Sequence, residues 1–65
     1  MKRVSFSAVP VGTEFMWGAY YEEDMNWGYK RTARTADYRP RLSGKLTDGK
    51  YIAYWKQNET VYVAS

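Results

Sequence analysis

The stretch Thr47–Trp55, TDGKYIAYW, runs from a turn dipeptide directly into a row of aromatic and aliphatic residues. Asp-Gly between two extended runs is a strong hairpin signal, because glycine supplies without strain the positive φ that a type I′ turn requires. We therefore predict a tight turn at Asp48-Gly49 that joins a strand at 41–47 to a strand at 51–55. The C-terminal half of the chain is expected to be β.

The strand after this turn is apolar on both faces. Tyr51, Ala53 and Trp55 share one side of an extended backbone, and Ile52 and Tyr54 share the other. A strand of this kind is expected to contribute one face to the core and to leave the other for an interface. Burial of the second face in a homodimer is one alternative.

The rest of the chain consists of short extended segments separated by turns. Pro10 and Gly12 predict a reversal, because proline fixes its own φ and glycine permits a sharp bend; the expected anchors are Phe6, Val9 and Val11. The other expected elements are an edge strand at Met1–Phe6, a strand at Thr13–Tyr21 interrupted at Gly18, an acidic loop at Glu22–Asn26, a second strand at Trp27–Ala36, a loop or edge at Asp37–Pro40, and a closing strand at Thr60–Ala64.

Together these segments predict an all-β fold: a small five-stranded antiparallel SH3-like barrel, formed by residues 1–65 as a single domain. Tyr29–Tyr38 has a helical alternative, which we disfavour because its apolar stripe is thin. A chain of this length buries only about 60% of its unfolded surface. Cysteine and histidine are both absent, so neither a disulfide nor the usual zinc ligands supplement the core. Packing or oligomerisation must stabilise the fold.

Aromatic residues make up 18% of the chain, which is more than a core of this size encloses. Several Tyr and Trp side chains are therefore expected at the surface, where, beside Arg, they have the composition of binding hot spots. Residues 30–50 carry seven Lys or Arg against two Asp, a net charge of +5, whereas residues 1–29 carry −2. The charge of the chain is thus distributed unevenly.

The sequence contains no catalytic motif. Without His or Cys, a hydrolytic nucleophile needs an activated Ser or Thr, and neither Ser-x-x-Lys nor a nucleophile-elbow pattern occurs. The adjacent acids Glu22, Glu23 and Asp24 are typical of a solvated turn rather than of an acid–base pair or a calcium site. The dispersed glycines form no phosphate-binding motif. We expect a protein that is not an enzyme and holds no cofactor and no metal.

Hydropathy and the N-terminal residues bear on location. No run approaches the roughly 20 apolar residues that span a bilayer, and the first residues do not resemble a secretion signal. The expectation is a cytoplasmic protein without membrane association.

Three short motifs stand out along the chain: Val9–Phe15 (VPVGTEF) contains a V-G-x-x-F pattern, Tyr29–Ala33 (YKRTA) a Y-K-x-T pattern, and Glu59–Val61 (ETV) a final polar-Val pattern. These motifs resemble those of small proteins encoded by bacteriophages and prophages. The segments Glu22–Asn26 and Asp37–Lys45 depart from these patterns or extend them. The resemblance implies a viral origin, an SH3-like barrel and a location in the host cytoplasm, with no particular activity attached.

These features predict a non-catalytic binding module, expected to be a phage-encoded modulator or inhibitor of a host protein such as a defence or nucleic-acid-handling factor. One alternative is nucleic-acid binding, with Lys30 and arginines on phosphates and Trp27 and Tyr29 stacked on bases; against it, these two rings can instead fill the core. Another is a self-assembling structural or virion-associated subunit. The predicted contact residues are Tyr20 and Tyr21 on the first strand, Arg31 and Arg34 on the second, and Tyr38, Arg39 and Arg41 before the hairpin.

Overall fold

Eight short antiparallel strands form the backbone of residues 1–64, the part of the chain that the computed structural model describes. Two 3₁₀ turns, Phe6–Ala8 and Glu22–Asp24, lie between them. No segment of residues 1–64 forms a helix long and apolar enough to cross a membrane. The strands are β1 (Lys2–Ser5), β2 (Glu14–Trp17), β3 (Asn26–Lys30), β4 (Thr35–Arg39), β5 (Arg41–Leu42), β6 (Lys45–Leu46), β7 (Tyr51–Tyr54) and β8 (Thr60–Val63).

Six of these strands form one sheet in the order β1-β8-β2-β3-β4-β7, and β5 and β6 form a separate hairpin. The prediction of an all-β antiparallel fold is confirmed. The sheet is open, with β1 and β7 at its two edges, and the described chain has eight strands rather than the predicted five. The edge strand expected at Met1–Phe6 and the closing strand expected at Thr60–Ala64 are present as β1 and β8, which pair with each other.

The predicted strand at Trp27–Ala36 is wrong, because this stretch forms a hairpin of β3 and β4. Thr32 makes the turn: its Oγ1 accepts from the backbone N–H of Arg34 at 3.3 Å and of Thr35 at 3.1 Å. A threonine hydroxyl that bonds nearby amides offers the backbone a turn in place of a continued ladder. The loop or edge predicted at Asp37–Pro40 is also wrong, since all of it except Pro40 belongs to β4, which lies between β3 and β7 in the sheet.

The turn predicted at Asp48-Gly49 is absent as well. The tight hairpin lies at Ser43-Gly44, where φ is 51° and 76°, the two positive values of a type I′ turn between β5 and β6. The φ of Gly49 is not positive. β7 pairs instead with β4, its neighbour in the sheet but not in the sequence.

Every strand of the main sheet turns one face toward a single small core. Phe6 lies at its centre, 5.6 Å edge-to-face from Phe15 and 5.6 Å from the parallel ring of Trp55. Gly28 stands opposite Phe15 in the register and leaves room for the phenyl ring. The fully or nearly fully buried core residues are Phe6, Val9, Phe15, Ala36 and Val61.

The reversal before β2 follows the prediction in part. Gly12 has a φ of 87° and Gly18, which ends β2, has a φ of 107°, so both glycines adopt conformations that other residues rarely adopt. Phe6 and Val9 anchor the reversal from the core as expected. Val11 does not, because 60% of it is exposed.

Candidate binding surfaces

The sheet face opposite the core, called here the outer face, carries rings and guanidinium groups. Period-two alternation places these side chains outside because their neighbours in sequence point into the core. Its central members line up across four paired strands in the order Tyr62, Met16, Trp27 and Arg39. All four are partly exposed.

Trp27 and Tyr29 form the flattest part of the outer face. Their rings are nearly parallel, at 16°, with centroids 6.4 Å apart. The guanidinium carbon of Arg39 lies 6.0 Å from the Trp27 ring centroid, within the range of a cation–π contact. Trp27 and Tyr29 therefore do not fill the core, which was the alternative reading of the sequence.

The two arginines beside the ring pair, Arg31 and Arg39, are each matched by an acceptor. Arg31 donates from Nε to Asp37 Oδ2 at 2.7 Å, and its Nη2 lies 2.6 Å from the same oxygen. This hydrogen bond and the charge of the buried Asp37 raise the pKa of Arg31. Arg39 donates from Nε to the Thr47 carbonyl at 2.6 Å and lies 3.9 Å from Asp48 Oδ1. The face therefore mixes charges of both signs instead of presenting a uniformly basic patch.

A second aromatic cluster lies on the core side and adjoins Phe6 through the ring of Trp55. Trp17 meets Trp55 at 4.9 Å and Tyr38 at 6.0 Å, both nearly perpendicular. The three rings line an open groove of about 300 Å³, with Lys56 and Glu59 among its polar lining residues. The Nε1–H of Trp55 is buried and has no hydrogen-bond partner within residues 1–64.

The predicted contact residues do not form one surface. Arg31 and Arg39 lie on the outer face, whereas Tyr38, adjacent to Arg39 in β4, points to the core side and packs against Trp17. Arg41 is half-buried and holds the β5–β6 hairpin, donating to the Met25 carbonyl at 3.0 Å and to the Gly44 carbonyl at 3.1 Å.

The remaining predicted residues are exposed in turns. Arg34 lies in the β3–β4 turn. Tyr20 and Tyr21 lie in the loop between β2 and β3, not on the first strand, and are 101% and 68% exposed. Their rings are accessible but belong to no ordered aromatic platform of the sheet.

Lys30 was predicted as a phosphate-binding cation, but only 3% of it is exposed. Its Nζ donates to the Phe6 carbonyl at 2.9 Å and lies 4.4 Å from the Phe6 ring centroid. Burial lowers the pKa of Lys30. This amine is therefore a structural group of the core and is not accessible to a phosphate.

Met16 and Tyr62 were not among the predicted contact residues. The signal was present in the sequence: Phe15 and Trp17 were expected inside, so Met16 between them had to face outward. Val61 and Val63 place Tyr62 in the same way. Among residues 1–64, no group of three or more carboxylate side chains is arranged to hold a metal ion.

Comparisons with models of known protein families, with curated protein sequences and with solved protein structures give no significant match for this chain.

Proposed function

We propose that the protein is a non-catalytic module that binds a protein partner through its outer face. The observation that carries the proposal is the cross-strand row Tyr62, Met16, Trp27 and Arg39. Aromatic residues, Met and Arg are the types enriched in protein interfaces, and Trp, Tyr and Arg supply most hot spots. Here they lie side by side on a sheet, which holds them in fixed relative positions.

The charges of this face favour a protein over a polyanion. Arg31 is paired with Asp37, and Arg39 lies near Asp48, so the positive charge beside the rings is partly neutralised and attracts a phosphate backbone less strongly. A face with matched charges around rings suits a partner that has both signs itself, and such charges orient a complex more than they strengthen it.

The resemblance to phage-encoded proteins supplies the kind of partner. We propose a modulator that occupies the working surface of a host protein in the host cytoplasm. An SH3-like arrangement of the sheet is part of this proposal. Backbone pairing between the two ends of the chain, which extends beyond β1 and β8, supports this arrangement. The Phe6 amide donates to the Glu59 carbonyl at 2.8 Å, and the Ser7 amide donates to the Gln57 carbonyl at 3.0 Å.

Affinity capture from a bacterial host lysate tests the proposal. The wild-type chain is expected to retain one stoichiometric protein, and Trp27→Ala to weaken its binding by about thirtyfold or more, the effect of losing a hot-spot tryptophan. Arg39→Glu is expected to weaken binding of the captured protein more than Trp27→Ala does. Val11→Ala and Lys45→Glu, exposed positions outside the outer face, are the matched controls. Retention by Trp27→Ala equal to that of wild type would refute the placement of the surface.

A second candidate function, single-stranded nucleic-acid binding, is favoured by one observation: the parallel Trp27 and Tyr29 rings with Arg39 above Trp27. Rings in this arrangement stack on successive bases in proteins that bind single strands. A labelled oligonucleotide decides between the two. Binding whose affinity falls steeply with salt supports this candidate, and no binding at low salt excludes it.

A further inference from the structure

The two edges of the six-stranded sheet differ in character. β1 exposes Lys2 and Arg3, and cationic side chains are a common protection of a sheet edge against pairing with other chains. β7 contains no charged residue, and it exposes 70% of Ile52 and 85% of Tyr54. An exposed apolar edge without such protection is suited to pairing with another strand.

The backbone of β7 has hydrogen-bonding groups directed to this edge. The Trp55 amide donates to the carbonyl of Arg34, the residue just before β4, at 2.9 Å. Because amides and carbonyls alternate in direction along an antiparallel strand, Tyr51 and Ala53 also face β4. The N–H and C=O groups of Ile52 and Tyr54 therefore point away from the sheet.

We propose that the partner at this edge is a second copy of the same chain, paired antiparallel through β7 about a two-fold axis at Ile52. The two six-stranded sheets then form one continuous sheet. This inference goes beyond the proposed function, since β7 and the Trp27 row are different surfaces.

Charge selects the register. A two-fold axis perpendicular to the sheet places one residue opposite its own copy, and the registers that overlap most of β7 are centred on Ile52 or Ala53. The Ala53 register sets Lys50 opposite Lys56 of the second copy, and like charges directly opposite destabilise a strand pair. The Ile52 register pairs the two isoleucines and sets Lys50 opposite Tyr54, so it contains no such repulsion.

The same reasoning selects a closed dimer over a filament. Pairing β7 with β1 of another copy would leave a free edge at each end and propagate indefinitely. It would also bring Lys2 and Arg3 close to Lys50 and Lys56, which flank β7. The symmetric β7 pair avoids this accumulation of positive charge.

Single cysteines test the geometry, because the chain has none of its own. In the Ile52 register, two Ile52→Cys side chains form a hydrogen-bonded pair with Cα atoms about 5.5 Å apart, a distance that a disulfide spans. Mild oxidation is expected to give a covalent dimer of Ile52→Cys, and none of Ala53→Cys or of the exposed control Val11→Cys. Cross-linking of Ala53→Cys but not of Ile52→Cys would overturn the register, and no cross-linking of either would overturn the dimer.

Sedimentation velocity tests the association without a covalent bond. An edge pair is a small interface, so the wild type is expected to dimerise with a dissociation constant on the order of 100 µM. Ile52→Lys puts two ammonium groups at the axis and is expected to raise this constant at least tenfold, while the control Val11→Lys leaves it unchanged. Circular dichroism confirms that both variants are folded. A wild type that is monomeric at about 1 mM, or that polymerises, would overturn the proposal.

Discussion

Gly28→Ala is the substitution for which the core predicts the largest effect from the smallest change. An added Cβ would lie 2.4 Å from Cζ of Phe15, 2.5 Å from Cε2 and 2.9 Å from Cε1, where ordinary contacts begin near 3.4 Å. The phenyl ring must therefore move by about 1 Å. The ring has little room to move, because the ring centroids of Phe6 and Trp55 lie 5.6 and 5.2 Å from its own centroid.

The expected destabilisation is about 2 kcal/mol. Overpacking a well-packed core costs about 1–3 kcal/mol, and an unavoidable 1 Å shift of a buried ring belongs near the upper end. Alanine recovers roughly 0.5–1 kcal/mol through the lower backbone entropy of the unfolded chain. A domain of this length has about 3–10 kcal/mol of stability in all, so the loss is a large share of it.

Urea unfolding followed by tryptophan fluorescence measures this loss. With a slope of about 1 kcal/mol per molar, the midpoint is expected to fall by about 2 M. Phe15→Leu removes the three clashing carbons, so the double variant Gly28→Ala/Phe15→Leu is expected to be no less stable than Phe15→Leu alone. The cost of Gly28→Ala then disappears in the Phe15→Leu background, which is a coupling energy of about 2 kcal/mol between the two positions. Gly44→Ala is the control: nothing lies within 4 Å of its Cβ, its cost arises from φ alone, and Phe15→Leu does not relieve it. Strict additivity of Gly28→Ala and Phe15→Leu would refute the reasoning.

Two further predictions concern the turn and the buried amine. Ser43→Asn is expected to raise the free energy of unfolding by about 0.5 kcal/mol, since asparagine adopts positive φ more readily. Gly49→Ala is expected to change it little, because its Cβ would meet only the half-exposed ring of Tyr51, at 3.1–3.3 Å, and that ring can move aside. Reversed effects in thermal melts would place the type I′ turn at Asp48-Gly49 after all. Burial lowers the pKa of Lys30 below 10.5, so between the lowered pKa and 10.5 the unfolded state binds more protons than the folded state. The wild type therefore gains stability as the pH rises through the lowered pKa towards 10.5. Lys30→Met is expected to lose this pH-dependent gain. The measurement is the difference in free energy of unfolding between wild type and Lys30→Met at each pH, and a difference that does not change with pH would contradict the lowered pKa of Lys30.

Local patterns gave the strand faces where the strand was short and its neighbours were unambiguous. Phe15 and Trp17 alternate with polar or flexible residues, and β2 has the predicted inside and outside. Gly18, predicted only to interrupt a strand that continues to Tyr21, instead ends β2 with a φ of 107°. Such predictions depend only on residues that are adjacent in sequence.

Strand pairing was not predictable in the same way. Asp48-Gly49 is the stronger turn dipeptide by composition, yet the chain turns tightly at Ser43-Gly44 and takes β7 across to β4. That choice depends on contacts such as Ala36 with Ala53, which no short window contains. Tertiary packing here overrides a local preference.

The buried lysine shows the same limit for side chains. Lys30 was predicted as a phosphate-binding cation, which requires an exposed amine, because a charge in a strand usually faces water. What permits its burial is the carbonyl of Phe6, 24 positions earlier in the chain, together with the Phe6 ring beneath the amine. Residue type gives no sign of that acceptor, so the position could only be learned from the structure.

The outer rings contribute less to folding than their size suggests. Trp27, Met16 and Tyr62 are partly exposed, and a cross-strand pair on a sheet face contributes only about 0.2–1 kcal/mol. Trp27→Thr keeps a residue that favours strands and is therefore expected to leave most of the stability in place while it removes the binding proposed for the outer face. If its loss of stability instead equals that of Gly28→Ala, Trp27 belongs to the structural core, and recognition by the outer face loses its main physical support.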